Sequence, residues 1–348
     1  MEVNLNDYRS IEWISGVVRL LDQRALPHQT RYLECKDYRE VAKAIQDMVI
    51  RGAPALGAAA AFGLALVAYH SKAVDLQGFL EELNRSADEL RQSRPTAVNL
   101  GWALDRVLSQ ARNSNTIHAA RETVIEEALL IAEEDIQINR RIGLNGVELI
   151  PHPTNIIHHC NTGALATVGY GTALGVIRAA HEKGKKVHVF VDETRPRLQG
   201  ARLTTWELQQ LGIPFTLVVD GASGFLLRSG RVDLCIVGCD RVAVNGDTAN
   251  KIGTFNLALA AYAHSVPFYV AGPLSSFDRS LKSGDDIPIE WRDEREITHI
   301  GEYQITPEGC RVENPAFDVT PSQYITAFIT EAGIIYPPYH ENIPKLIK

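Results

Sequence analysis

A thiol and three carboxylates occupy matching points of this chain. Cys160 follows the apolar run in IIHHCNTG (Ile156–Gly163), and Asp192, Asp220 and Asp240 close KVHVFVD, PFTLVVD and VDLCIVGCD. A cysteine so placed can be a metal ligand, half of a disulfide, a packed core residue or a reactive thiol. An aspartate can serve as acid, base, cap or turn residue. Metal fits poorly. Successive strand residues face opposite ways, so His158 and Cys160 share a side and supply two ligands where a structural zinc site takes four. Cys235 and Cys239 lie ~13 Å apart along an extended strand. No metal is expected.

The elements that would position these groups can be read from texture. The runs TNIIHHC, KVHVFVDE, PFTLVVDGA, VDLCIVGCD and PFYVAGP alternate with helical patterns such as GYGTALGVIRAAHEKG, GARLTTWELQQLG and TFNLALAAYAHS. Near-continuous Val/Ile runs separated by helices predict a parallel sheet covered on both faces, hence a Rossmann-like domain. In such a sheet ligands bind beyond the carboxyl ends of the strands, where all four groups stand. Upstream, the pattern is mostly helical: REVAKAIQDMVI, then a break at RGAP, then Ala55–His70. A long helix from Thr116 to about Ile142 carries Val124, Ala128 and Ile131 on one face. Gly16–Gln23 (GVVRLLDQ) predicts a small β element. GLNG (Gly143–Gly146) ends the long helix and sets the expected division: a helical N-terminal domain over 1–145 and the Rossmann-like domain over 146–348.

Three further motifs could hold an anion. In RGAPALG, Pro54 suits a first helical turn, whose backbone N–H groups form an anion site beside Arg51. SRPTAVN sets Arg94 similarly. ETRPRLQG carries Arg195, Arg197 and Gln199, and NGDTANKIGTFN places Asn250 and Lys251 in a polar loop before a helix beginning near Thr254. Each also fits ordinary surface or turn chemistry. Gly169, Gly171 and Gly175 are spaced as G-x-G-x-x-x-G and are expected inside a helix, where they serve packing better than a pyrophosphate.

Composition narrows the classes. The chain has 348 residues, 45% hydrophobic and 22% charged, with a net charge of −7. That balance carries no footprint for nucleic acid. The longest apolar run, Ala53–Tyr69, is shorter than the roughly 20 residues of a span and rich in Ala and Gly, so no membrane is expected. Five cysteines scattered through the chain, without an export signal, fit free thiols in a reducing cytoplasm. A thiol facing a helix N-terminus after Cys160 would have a lowered pKa.

Taken together, RGAPALG, HHCNTGALATVGYGTALGVI, DETRPRLQGARLTTWEL, GCDRVAVNGDTANKIGTFNLA and VPFYVAGPLSSFD resemble the methylthioribose-1-phosphate isomerases. That superfamily also contains ribose-1,5-bisphosphate isomerase and regulatory subunits of the initiation-factor exchange complex. The resemblance runs through nearly the whole chain. It implies conversion of 5-methylthioribose 1-phosphate to 5-methylthioribulose 1-phosphate in methionine salvage, by a cytoplasmic homodimer without metal or organic cofactor. It assigns catalysis to Cys160 and Asp240, and substrate binding to Arg51, Gly52, Ala53, Arg94, Gln199, Asn250 and Lys251. The alternatives are the bisphosphate isomerase, distinguished by the pocket for the sugar's 5-position, and a non-catalytic regulatory subunit.

Overall fold

Residues 9–95 and 97–347 are described by the computed structural model. The chain forms two compact units. One runs to Arg140 and also takes in Thr162–Gly171, and the other comprises Arg141–Asn161 and the chain from Thr172 onward.

The first unit opens with an antiparallel sheet of β1 (Ile11–Ile14), β2 (Val17–Leu21) and β3 (Tyr32–Cys35). Helix α1 (Tyr38–Gln46) starts in a capping box in which Asp37 and Glu40 satisfy each other's backbone N–H groups. Helix α2 (Ala53–His70) is apolar on every side, and all its residues except Pro54, Tyr69 and His70 are buried. Such a helix belongs at the centre of a helical core. It packs against α1, α3 (Leu76–Ser93) and α4 (Val98–Arg112). Small residues permit the approach: a Cβ on Gly57 would lie 3.0 Å from the Asn99 carbonyl oxygen. By length and composition α2 alone among the described helices could cross a bilayer, and it is 83% buried inside the protein. Helix α5 (Ile117–Gly146) buries Ala120, Val124, Ala128, Ile131 and Ile136 in the same core, the face expected from the sequence. It continues through GLNG to Gly146 rather than stopping near Ile142.

The second unit is an open twisted α/β sheet. All five apolar runs form strands: β4 (Thr154–His158), β5 (Val187–Asp192), β6 (Phe215–Val218), β7 (Leu234–Val237) and, after the hairpin strands β8 (Arg241–Ala243) and β9 (Thr248–Lys251), β10 (Phe268–Ala271). Helices α6 (Ala173–Glu182), α7 (Thr205–Gln210), α8 (Ser223–Arg228) and α9 (Thr254–Ala263) alternate with them. Next come β11 (Phe277–Asp278), α10 (Arg295–Thr298), a small β12–β13 hairpin (His299–Ile300 and Tyr303–Gln304), β14 (Phe317–Thr320), β15 (Ala327–Thr330), β16 (Gly333–Ile335) and α11 (Tyr339–Leu346). The main sheet has the order β16-β15-β10-β7-β4-β5-β6, parallel except for β16. The six parallel strands follow the Rossmann order, and the direction of progression reverses between β4 and β7. A second sheet, β11-β8-β9-β14, extends from the end of β7.

Two local expectations need correction. Gly169 and Gly171 precede α6 instead of lying in it, because Gly171 has φ +95 and its missing Cβ would fall 2.5 Å from the Gly163 Cα. Asn250 and Lys251 sit on β9, not in a loop, since β9 is held by pairing with both β8 and β14.

Candidate active site

Cys160 lies two residues past β4, and Asp240 three past β7, the adjacent strand across the switch point. Cys160 is buried and has φ +67, a left-handed conformation costly for a residue with a Cβ. This kink ends the strand alternation, so Cys160 does not continue the face of His158. His158 points inward, its Nδ1 donating to the Ile236 carbonyl at 2.9 Å. Burial pushes its pKa down to about 4, so it is a neutral imidazole. No α-helix begins near Cys160, because the segment 162–171 intervenes before α6. The expected helix N-terminus facing the thiol is therefore absent from this stretch.

The Cys160 peptide is held at both ends. Its N–H donates to Thr194 Oγ1 at 2.9 Å, and its carbonyl accepts from Thr204 Oγ1 at 2.7 Å. Asn161 donates to Glu207 at 2.7 Å. His159 is wholly buried, with Nδ1 2.9 Å from Asp192 Oδ2 and Nε2 2.9 Å from the Ile252 carbonyl. A carbonyl only accepts, so Nε2 carries hydrogen, and the Nδ1 proton lies between imidazole and carboxylate. Burial alone would push the His159 pKa down, yet the hydrogen bond and charge of Asp192 carry it up. The other Asp192 oxygen accepts from Ser223 Oγ at 2.5 Å. Asp220 accepts from the Thr194 and Arg195 N–H groups at 2.7 and 2.8 Å. His159, Asp192 and Asp220 bring ligand atoms within 4.8 Å of one another, a cluster that could hold a cation, but these atoms are already bonded to the protein's own groups. Gly253 allows the fit, since a Cβ there would sit 2.9 Å from His159 Cε1.

Asp240 is half-buried, and its N–H pairs with the Ala249 carbonyl at 2.9 Å, which sets it beside Asn250 at the mouth of the β8–β9 hairpin. Asn250 Nδ2 donates to Thr254 Oγ1 at 3.0 Å. Lys251 Nζ donates to the Ala316 carbonyl at 2.7 Å and lies 4.4 Å above the Phe317 ring. Ile252, next in the chain, accepts from His159, so the Asn250–Lys251 segment is tied to the neighbour of Cys160. Gln199 is buried, and its Oε1 has no hydrogen-bond partner. A buried acceptor left unmet costs about 1–3 kcal/mol, so it marks a position that a bound hydroxyl would satisfy. Thus Cys160, Gln199, Asp240, Asn250 and Lys251 all belong to the carboxyl-end loops and strands of the second unit.

Arg51, Gly52, Ala53 and Arg94 belong to the first unit. Gly52 precedes α2 with φ +99, and a Cβ there would lie 2.2 Å from the Ala166 carbonyl oxygen. Neither α2 nor α4 shows a side-chain cap hydrogen bond at its N-terminus among the described residues, and the start of a helix favours an anion. Arg94 follows α3, its Nη1 3.5 Å from Met48 Sδ. Thr96 of the same motif lies outside the described residues.

Sequence reasoning missed Thr194, Thr204 and the His159–Asp192 pair. It also missed Asp318, whose carboxylate accepts from Gly253 and Phe255 N–H groups at 2.8 and 3.2 Å and caps α9. The partners are separated by 33 to 65 residues, and only the strand order brings them together.

An open parallel sheet with a thiol and a carboxylate at its switch point defines a Rossmann-like ligand-binding class. Residues 49–337 match the initiation factor 2 subunit family. A methylthioribose-1-phosphate isomerase of Synechococcus sp. is 55% identical over 99% of both chains. A 5-methylthioribose 1-phosphate isomerase of Pyrococcus horikoshii OT3 is 45% identical, with a TM-score of 0.91 over 97% of this chain and 95% of that one. The structure of translation initiation factor eIF-2B, subunit delta, from A. fulgidus is 44% identical, with a TM-score of 0.87 over 98% and 99%. The chain therefore belongs to the initiation factor 2 subunit family and, within it, to the methylthioribose-1-phosphate isomerases.

Proposed function

We propose that the chain is an aldose–ketose isomerase that converts 5-methylthioribose 1-phosphate to 5-methylthioribulose 1-phosphate in methionine salvage. The observation that carries this reading is full-length identity of 55% to a relative of that name. The strand-end positions of Cys160 and Asp240 on adjacent central strands support it from the structure.

The anomeric oxygen of the substrate is esterified, so ring opening cannot yield a free aldehyde. Asp240 donates a proton to the ring oxygen as the C1–O bond breaks, and the carboxylate then takes the proton of the C2 hydroxyl as that carbon becomes a ketone. Hydrogen moves from C2 to C1 by one of two routes. In one, Cys160 shuttles the C2 proton to C1 through an enol phosphate. In the other, hydride shifts directly while water is excluded. Solvent deuterium at C1 of the product identifies the first. Arg51, Gly52, Ala53, Arg94, Gln199, Asn250 and Lys251 hold the substrate, mainly its phosphate. Neither route requires a metal or organic cofactor. The working form is a cytoplasmic homodimer, with neither nucleic acid nor membrane as partner.

A second reading, a non-catalytic initiation-factor subunit, draws on the 44% identity to the eIF-2B subunit. Turnover of 5-methylthioribose 1-phosphate and of ribose 1,5-bisphosphate by the purified protein separates the readings. We expect turnover of the first sugar in preference to the second. Preference for the bisphosphate, or no turnover of either, contradicts the proposal.

A further inference from the structure

Of the three strand-end carboxylates singled out in the sequence, Asp192 and Asp220 take no part in the chemistry above. Both are bonded to the protein itself, and both lead to Cys160. Asp220 receives the N–H groups of Thr194 and Arg195 through its two oxygens, at 2.7 and 2.8 Å. This fixes Thr194, a β-branched residue with φ +64, in a conformation that is a genuine outlier for its type. The Thr194 hydroxyl works in both directions: it donates to the Asp192 carbonyl at 3.0 Å and accepts the Cys160 N–H at 2.9 Å.

Cys160 is itself left-handed, a conformation glycine adopts freely and other residues at a cost of about 1–2 kcal/mol. Strain of this kind persists only where the surroundings over-determine it, and it clusters at functional sites. Here the surroundings are specific. Thr194 takes the N–H of the strained peptide unit, and Thr204 donates to its carbonyl at 2.7 Å. Close backbone approach completes the bracket: a Cβ on Gly200 would lie 1.7 Å from the Asp192 carbonyl oxygen, so the loop carrying Thr194 folds tightly back on the end of β5.

We propose that Asp220 and Thr194 form a positioning relay for the reaction, in which the Asp220 carboxylate locks the Thr194 loop and the Thr194 hydroxyl holds the Cys160 backbone in its left-handed turn, aiming the thiol. The inference rests on the reading of Cys160 as the catalytic thiol. The relay reaches the site through the Cys160 backbone, so its effect is expected on the chemical step and not on ground-state binding.

The test compares Thr194→Ser, Thr194→Val, Asp220→Asn and the double variant Asp220→Asn/Thr194→Val with the wild type, using 5-methylthioribose 1-phosphate. Thr194→Ser keeps the hydroxyl and is expected to keep kcat within about 3-fold. Thr194→Val and Asp220→Asn are expected to lower kcat roughly 10- to 100-fold, the scale of a misplacement of about 1 Å, with KM nearly unchanged. Because both act through one hydrogen bond, the double variant is expected to lose no more than the worse single one. The relay is overturned if Thr194→Val keeps wild-type kcat, if Thr194→Ser is as impaired as Thr194→Val, or if the loss appears in KM. Cys160→Ser in the same assay keeps the two claims apart. Full activity of that variant removes the catalytic thiol, whereas an inactive Cys160→Ser beside an unimpaired Thr194→Val removes only the relay.

Discussion

Helix α2 and the carboxyl end of β4 are both buried, yet they are built in opposite ways. In α2 the buried side chains are alanines, leucines, a valine and a phenylalanine, packed through glycines with no polar group to satisfy. At the end of β4 the buried residues include His159, Cys160 and Asn161, bonded to Asp192, Thr194, Thr204 and Glu207. Apolar burial is non-directional and tolerates several arrangements. A buried polar network is satisfied by one arrangement only, and its members lose heavily when a partner is removed. The first region supplies stability and the second fixes where a few atoms stand.

Substitutions in the two regions should separate these roles. The largest expected effect is on stability, from Phe62→Ala, which empties a fully packed site beside Trp13 at a cost of about 3–5 kcal/mol. Thermal or denaturant unfolding should show that loss while kcat of the folded fraction stays near wild type. Gly200→Ala should cost about 3 kcal/mol, because the new Cβ meets rigid backbone, and should also depress kcat, the joint loss that α2 lacks. Gly52→Ala combines a positive φ with a clash against Ala166, and should raise KM with a smaller change in kcat. Steady-state kinetics at saturating and limiting sugar phosphate distinguishes the two glycines.

A smaller effect concerns Asp135, half-buried in the first unit and bonded to the Val168 N–H at 2.7 Å. Burial pushes its carboxyl up to about 7, against the hydrogen bonds of Val168, Asn139 and Gly169. The folded value exceeds the unfolded one of about 3.9, so the native state holds the proton more tightly. The resulting stability is present in full at low pH and is lost as pH rises toward 7. Melting temperature should therefore decline on this account between about pH 4 and pH 7, and Asp135→Asn should flatten the decline. The smallest effect belongs to the exposed pair Arg39–Glu89, where Glu89→Gln should leave the melting temperature close to wild type, since solvent and salt screen such a pair.

The same contrast decides what was legible in the sequence. Periodicity gave the faces of α5 and the five central strands, because apolar spacing is a local property. Strand ends located Cys160, Asp192, Asp220 and Asp240, but residue type could not say which carboxylates serve the substrate and which serve the fold. That distinction depends on partners such as Thr194, 34 residues from Cys160 and 26 from Asp220. The left-handed turn at Cys160 was illegible for a related reason: glycine announces such a turn, whereas a cysteine adopts it only under hydrogen bonds made by distant residues. Lys251 and Asn250 read as a loop because NGDTANKIG is rich in turn formers, and pairing with β14, far along the chain, overrides that local preference.

The most direct test of the account is the pair Cys160→Ser and Asp240→Asn, with binding of 5-methylthioribose 1-phosphate measured separately by calorimetry. The expected result is binding close to wild type with kcat lowered roughly 10²- to 10⁴-fold in each variant. Wild-type turnover by both variants would contradict the claim that chemistry is done by the thiol and carboxylate at the ends of β4 and β7.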